Sequence, residues 1–513
     1  MPNKIYAYLM VLISILISGC TMVDKPSPVL KTPNYLITNV NLIDVISGEV
    51  LKDHQVEVQN GKIIGIAPVK RNIKNTTYAG QFIDAKGGYL VPGFWDSHVV
   101  LNQLSPELDY PLYIGHGVTS VRSILNCPNP NEVSLYPCMK QKYDWNQSVV
   151  KAELVGPEIK GSGTFPINGK GEGHPDSPDF YRARTKQEID KIIQSFSVNS
   201  NELKPFFLKN YNWLEPENYL YLVKQAKEMG FEVGGHMSRK VGLNGAVLAG
   251  QRSFAHARLF LFDCSKWEAE LRNGQHWDKP LPELYLGLLE NFDETGCQQK
   301  YQLMAEREVY LSPTLLTRRN DYLAVSGKRE VAEGAEYVHY MFDREWQEDQ
   351  ESLLALIQSE EDAELFNQFY LKAADTIAQA QKAGVTILAG TDSYDIYVVP
   401  GVSLHEEMAL LNEAGISELD VLRAATINAA KYFRLEKEVG SLQVGKIADM
   451  VLLESNPLEN IRHTRDIRMV FQQDRVYSQK KLVELKQGVK TLAQSHGVTA
   501  RLISLFLQNP VGF

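Results

Sequence analysis

The chain has 513 residues, a net charge of −9, 44% hydrophobic residues and 22% charged residues. That composition is ordinary for a globular protein, and the acidic balance argues against a nucleic-acid partner, which would call for a basic patch or stripe. The length accommodates more than one domain, including a unit of ~250 residues.

The amino terminus reads as an address rather than a domain element. Lys4 precedes an apolar run from Tyr6 to Ile17, followed by Ser18, Gly19 and Cys20. A basic start, an apolar core and small residues describe a secretory signal. The run is shorter than the ~20 apolar residues of a spanning helix. Ile17-Ser-Gly-Cys20 resembles the lipobox of bacterial lipoproteins, which implies a signal peptide over 1–20 and a lipid on Cys20. An uncleaved anchor helix is the alternative. Residues 21–34, with Pro26, Pro28 and Pro33, read as a tether. Thr21 resembles the residue that follows the lipidated cysteine in lipoproteins sorted to the outer membrane. The expected location is therefore the cell envelope, lipid-anchored and facing the periplasm. Export leaves Cys127, Cys138, Cys264 and Cys297 in an oxidising compartment. Pairs Cys127–Cys138 and Cys264–Cys297 are favoured because each flanks a loop-like insertion; free buried thiols are the other reading.

From Tyr35 the pattern is strand-rich. Tyr35-Leu-Ile-Thr-Asn-Val and Gln55-Val-Glu-Val-Gln read as strands, and Asn60-Gly61 is a hairpin turn signal. The unit 35–88 carries too little apolar mass to stand alone. Its complement lies at 438–484, where Gly440-Ser-Leu-Gln-Val-Gly-Lys-Ile-Ala-Asp449 precedes the buried-strand run Met450-Val-Leu-Leu. Together they predict a small composite β-sandwich built from both ends of the chain. Between them, residues 89–437 alternate strand-like runs with helical stretches. The runs are 89–96, 117–124, 154–162, 206–211, 231–236, 253–256, 309–314 and 385–390. Eight such runs predict an α/β fold, a (β/α)8 TIM-type barrel. Insertions at 126–143 and 264–282 follow strands and would border the catalytic rim. Residues 485–513 read as a helical tail, with a helix over 498–507.

Functional residues of such barrels sit at the carboxyl ends of strands, and the candidates fall there one after another. Val91-Pro-Gly-Phe-Trp-Asp-Ser-His-Val-Val100 sets Asp96, His98 and Val100 on one face. Lys209 closes Phe206-Phe-Leu-Lys, His236 follows Gly234-Gly, His256 ends Ala249-Gly-Gln-Arg-Ser-Phe-Ala-His, and Asp392 ends Ala389-Gly-Thr-Asp. These motifs are similar to those of the amidohydrolase superfamily, and the resemblance covers about 35–484. Lys209-Asn-Tyr211 resembles the Lys-x-Tyr of the subgroup containing imidazolonepropionase-like enzymes and Xaa-Pro dipeptidases.

The resemblance implies a divalent metal, zinc above all, at His98, Lys209, His236, His256 and Asp392. It implies a carboxylated Lys209, because an ammonium would repel the cation. His236 and His256 would hold one metal, and His98 and Asp392 the other. Asp392 would also serve as the general base. Where the family has a second histidine this chain has Val100, which offers no donor atom and depletes the metal site at His98. A one-metal site on His236 and His256 is therefore the expected form. Tyr211 and His174 are candidate substrate contacts, while Ser312-Pro-Thr314 reads as structural. The implied activity is hydrolysis of an amide or peptide-like C–N bond in a small, dipeptide-like substrate. The rival is a catalytically impaired member that binds a ligand or partner at the envelope. The sequence leaves oligomeric state open, a homo-oligomer included.

Overall fold

A computed structural model describes residues 31–69, 80–169, 180–197, 204–328 and 332–509. Residues 1–20, Cys20 and most of the tether lie outside the described residues, as does His174. No helix among the described residues is long and apolar enough to cross a membrane.

The two ends of the chain meet in one eight-stranded sheet rather than in two separately paired layers. Asn34–Ile43 pairs with Val50–Gln59, which turns at Asn60 and Gly61 into Lys62–Pro68. Both turn residues take positive φ, 49° and 75°, as a tight hairpin of this type requires. From the other end come Met450–Leu453, Ile467–Gln472 and Arg475–Ser478. Tyr35, Val56, Leu90, Met450 and Phe471 share its core, and the Tyr35 and Phe471 rings stack at 5.4 Å.

The join between the two halves corrects the expected boundary at residue 89. Tyr89–Pro92 lies inside this sheet, parallel to Asn34–Ile43 and antiparallel to Met450–Leu453. The run expected as one strand over 89–96 is thus two strands broken at Gly93. Both strands are largely buried, and the sequence runs through Pro92-Gly93 without a longer loop, so the change of sheet is not visible in the pattern. Glycine at 93 is needed for close approach, because a Cβ there would meet Thr119 Oγ1 at 2.2 Å.

Eight parallel strands follow: Phe94–Val99 (β1), Val118–Ser123 (β2), Glu158–Ser162 (β3), Phe207–Asn210 (β4), Glu232–Gly235 (β5), Ser253–Ala255 (β6), Tyr310–Ser312 (β7) and Thr386–Ile387 (β8). They do not form one continuous ladder. β1 to β3 make one sheet, and β4 to β8 make another together with the short strands Ile167–Asn168 and Tyr181–Arg182. Single parallel bridges span both seams, Gly163 to Phe207 and Val99 to Ser393. Phe206 N–H donates to Ser162 O at 2.8 Å across the first seam, and Asp392 N–H donates to His98 O at 2.8 Å across the second. The strands are short, and β8 has only two residues. That leaves little backbone for a ladder where β1 and β8 meet.

Helices lie between the strands, as in Pro216–Glu228, which starts on proline and is followed by Gly230 at φ 77°. The tail begins earlier than 485, with helices Gln479–Ala493 and His496–Gln508. Val489 and Leu492 pack against Leu104, Leu108 and Leu112 of the loop and helix after β1. Disulfides join Cys127 to Cys138 and Cys264 to Cys297, with Cα separations of 4.7 and 4.9 Å. They close the loops that follow β2 and β6.

Candidate metal centre

β1 delivers two polar side chains to the interior. Asp96 is fully buried and accepts from His98 N–H at 3.2 Å, Thr391 N–H at 3.1 Å and the Thr391 hydroxyl at 2.7 Å. Burial pushes its carboxyl up to about 7, while those donors pull the other way. Asp96 therefore clasps β1 to the segment after β8. The clasp needs Gly390, where a Cβ would lie 2.7 Å from the His98 Cβ and 2.5 Å from Ser312 Oγ.

That clasp brings His98 against Asp392. His98 Nε2 lies 3.3 Å from Asp392 Oδ1, and His256 Nδ1 lies 3.6 Å from Asp392 Oδ2. Donor atoms of His98, His256 and Asp392 all fall within 4.8 Å of one another. Both ring nitrogens of His98 are buried without a hydrogen-bond partner, so the 3.3 Å approach falls short of hydrogen-bond geometry. Thr314 Oγ1 sits 2.9 Å from His256 Nδ1 and fixes the orientation of that ring. His256 and Asp392 both hold left-handed backbone, φ 73° and 64°. Such residues cost about 1–3 kcal/mol each and gather at functional sites.

His236 and Lys209 flank this trio. The His236 ring lies 4.6 Å from that of His256 and 4.4 Å from that of Tyr211, and its Nδ1 is buried without a partner. Lys209 is buried, and its N–H donates to Thr164 Oγ1 at 3.0 Å. Burial pulls its amine down to about 8; Asp392 opposes the shift and Arg122 adds to it. Arg122 is itself buried, its Nε donating to Ser97 O at 2.5 Å and its guanidinium 4.9 Å from the Tyr432 ring centre. Val100 lies just beyond β1, its N–H donating to Ser393 O at 2.9 Å.

The donor set has the chemistry of a cation site. Burial pulls His98 below its ordinary value and His236 and His256 well below theirs, which favours the uncharged ring. Burial works to raise Asp392, yet His98, Lys209 and Arg258 hold it below the usual carboxylate range. Neutral imidazoles, an ionised carboxylate and orphaned buried nitrogens are what a divalent cation satisfies. The residues present fit such an ion.

His256 lies between the two expected groups. Its Nδ1 is 3.6 Å from Asp392 Oδ2 and 2.9 Å from Thr314 Oγ1, while its ring centre is 4.6 Å from that of His236 and 5.2 Å from that of His98. Thr314, expected to be structural, also places its hydroxyl on a candidate ligand. Arg122, Arg239 and Arg258 lie outside the motifs, although Arg239 is three residues past His236 and Arg258 two past His256, on the same strand-end loops.

The chain resembles known proteins across most of its length. An adenine deaminase of Desulforamulus reducens is 22% identical over 424 residues, 82% of this chain and 54% of the deaminase. An ochratoxinase of Aspergillus niger is 26% identical over 281 residues, 54% of this chain and 43% of that one. The chain thus spans about half the length of these curated relatives. Among solved structures, bottromycin amidohydrolase superposes with a TM-score of 0.67 at 19% identity, covering 91% of this chain and 92% of the other. A Xaa-Pro dipeptidase with bound methionine in its active site gives 0.59 at 18% identity, covering 87% and 100%. At such identities the superpositions speak for the fold alone. The family model described as "Amidohydrolase family" matches residues 113–490, well over half of the sequence. On that match, the chain belongs to the amidohydrolase family.

Proposed function

We propose that the protein is a metal-dependent hydrolase that cleaves a carbon–nitrogen bond in a small peptide-like substrate. The observation that carries this reading is the convergence of donor atoms of His98, His256 and Asp392 within 4.8 Å of one another at the carboxyl ends of β1, β6 and β8. Those residues, with Lys209 and His236 alongside, would hold the divalent cation. Zinc suits imidazole and carboxylate donors. When bound, the cation supplies Lewis acidity, making water more acidic and a carbonyl more electrophilic. Asp392 orients the attacking water, accepts its proton and passes it to the departing amine. Lys209 joins as a carbamate; its amine, brought down to about 8, has access to the neutral form that takes up carbon dioxide. Tyr211, packed on His236, would contact the substrate carbonyl. The strands β1 to β8, bridged at both seams, support the (β/α)8 reading of the scaffold.

The names of the relatives, a deaminase and a dipeptidase among them, support C–N hydrolysis as the reaction class. The envelope location and the lipid on Cys20 belong to the same proposal and rest on residues 1–21 alone; a full chain expressed in bacteria that carries no acyl group by mass spectrometry would remove the lipid, and one found only in the cytosolic fraction would remove the location. One observation favours a second reading, a binding protein with impaired catalysis: Val100 occupies the place of an expected ligand. The deciding experiment incubates the full chain with zinc and bicarbonate and assays dipeptide and N-acyl amino acid pools for released amine. Release by the wild type and none by Asp392→Asn supports the hydrolase. No release by either supports the binding protein.

A further inference from the structure

Beside the metal centre, past the ends of β5 and β6, lies a cavity of about 60 Å³ bordered by His236, His256, Arg239, Arg258, Phe262 and Trp277. It has room for roughly four waters, which suits the end of a small substrate rather than all of it.

Its charges are unbalanced. Arg239 and Arg258 are half-buried, and neither donates a hydrogen bond to, or pairs with, any carboxylate among the described residues. The acids nearby are already engaged. Asp263 and Glu268 are held by Arg272 and Lys300. Asp321, whose charge also reaches Arg258, is paired with Arg318. Both guanidinium side chains border the same cavity. Two like charges held together without a counter-ion are destabilising unless an anion arrives.

The arrangement is also rigid. The Arg239 guanidinium lies 3.9 Å from the Trp277 ring centre and 4.6 Å from that of Trp213, while Arg239 N–H donates to Asn212 O at 2.8 Å. Trp277 is fixed by Nε1 donating to Leu271 O at 2.8 Å and by stacking on Phe262 at 5.2 Å. Its segment lies between Cys264 and Cys297, which a disulfide joins. A guanidinium held by its faces keeps its N–H edges free for a planar anion.

We propose that Arg239 and Arg258 form a carboxylate-binding subsite, so that the substrate is an N-acyl amino acid or dipeptide whose free carboxylate lies a few atoms from the scissile bond. Phe262 and Trp277 lay an apolar wall beside that carboxylate and favour an aromatic or aliphatic side chain there. The inference deepens the hydrolase reading and rests on it only in calling the anion part of a substrate.

Equilibrium binding tests it independently of turnover. N-acetylphenylalanine and its carboxamide, N-acetylphenylalaninamide, are titrated into the full chain by calorimetry, with zinc and again in EDTA. The acid should bind about tenfold more tightly than the amide, the scale of one charge-assisted hydrogen bond, and this preference should survive zinc removal. Arg239→Gln and Arg258→Gln should each reduce the preference while leaving affinity for the amide unchanged. Equal binding of acid and amide by the wild type, or no binding of either, overturns the subsite. So does a preference that disappears in EDTA, since the cation rather than the arginines would then hold the acid. A preserved preference without hydrolysis of any acyl amino acid overturns the hydrolase reading and leaves the subsite standing.

Discussion

His98 and Asp392 touch twice across the seam between β1 and the end of β8: the Asp392 N–H donates to His98 O at 2.8 Å, and His98 Nε2 approaches Asp392 Oδ1 to 3.3 Å. The backbone bond holds the two side chains in register, and the side-chain approach leaves both ring nitrogens of His98 free for another partner. Asp392→Asn keeps the shape of that pair and removes the proton acceptor. Turnover should fall by about a thousandfold, the range for losing a general base, with the unfolding transition little changed. Steady-state kinetics beside a thermal melt checks both halves. A variant that keeps more than a tenth of the wild-type rate would remove Asp392 from the chemistry.

Val100→His should strengthen metal binding. The residue sits just past β1 with its N–H bound to Ser393 O, where an imidazole adds a donor to a site that has few. The expected result is a gain of about tenfold or more in zinc affinity, read by competition with a chromogenic chelator. Unchanged affinity would show that position 100 points away from the ion.

Thr314→Val tests the orienting contact on His256. Valine keeps the shape and loses the oxygen that lies 2.9 Å from Nδ1. Removing a partner of this kind lowers metal affinity by about tenfold to a hundredfold. The same chelator competition measures it, and an unaltered affinity would return Thr314 to a purely structural role.

His405 gives a pH signature away from the site. It is buried between Thr464 Oγ1 and His116 O, each 3.0 Å from a ring nitrogen. Burial, aided by Arg465 and Lys486, pulls it down to about 3. In the unfolded chain it titrates near ~6.5, so below that pH the unfolded state binds the extra proton. Stability is present above ~6.5 and is lost as pH falls toward the folded value. In His405→Gln the slope of unfolding free energy against pH between about 6 and 4 should be lower by about 1.4 kcal/mol per pH unit. Urea melts at several pH values read the slope, and an unchanged slope would mean His405 is protonated in the fold.

Much of the site was legible because each candidate ligand ends an apolar run. His236 after Gly234-Gly235 and Asp392 after Ala389-Gly390 are examples, and in parallel α/β folds the carboxyl ends of strands face the ligand. Less legible was anything that depends on which strands meet. Tyr89–Pro92 and Phe94–Val99 are both buried and separated by Gly93 alone, so the sequence offers no loop to mark the passage from one sheet to the other. The contact of His256 with Thr314, a residue 58 positions away, is of this kind. Nothing in the sequence separates Arg239 and Arg258 from solvated charges; the placement of Trp213 and Trp277 around the first does so, as does the absence of a carboxylate partner for either among the described residues.

The central claim is that His98, His256 and Asp392 hold a divalent cation, and metal content tests it most directly. The full chain and His256→Ala are dialysed against zinc and bicarbonate, freed of loose ion, and assayed by elemental mass spectrometry with a melt to confirm folding. The account predicts tightly held zinc in the wild type and its loss in the variant. A folded wild type that retains no metal, or a variant that retains as much, would contradict it.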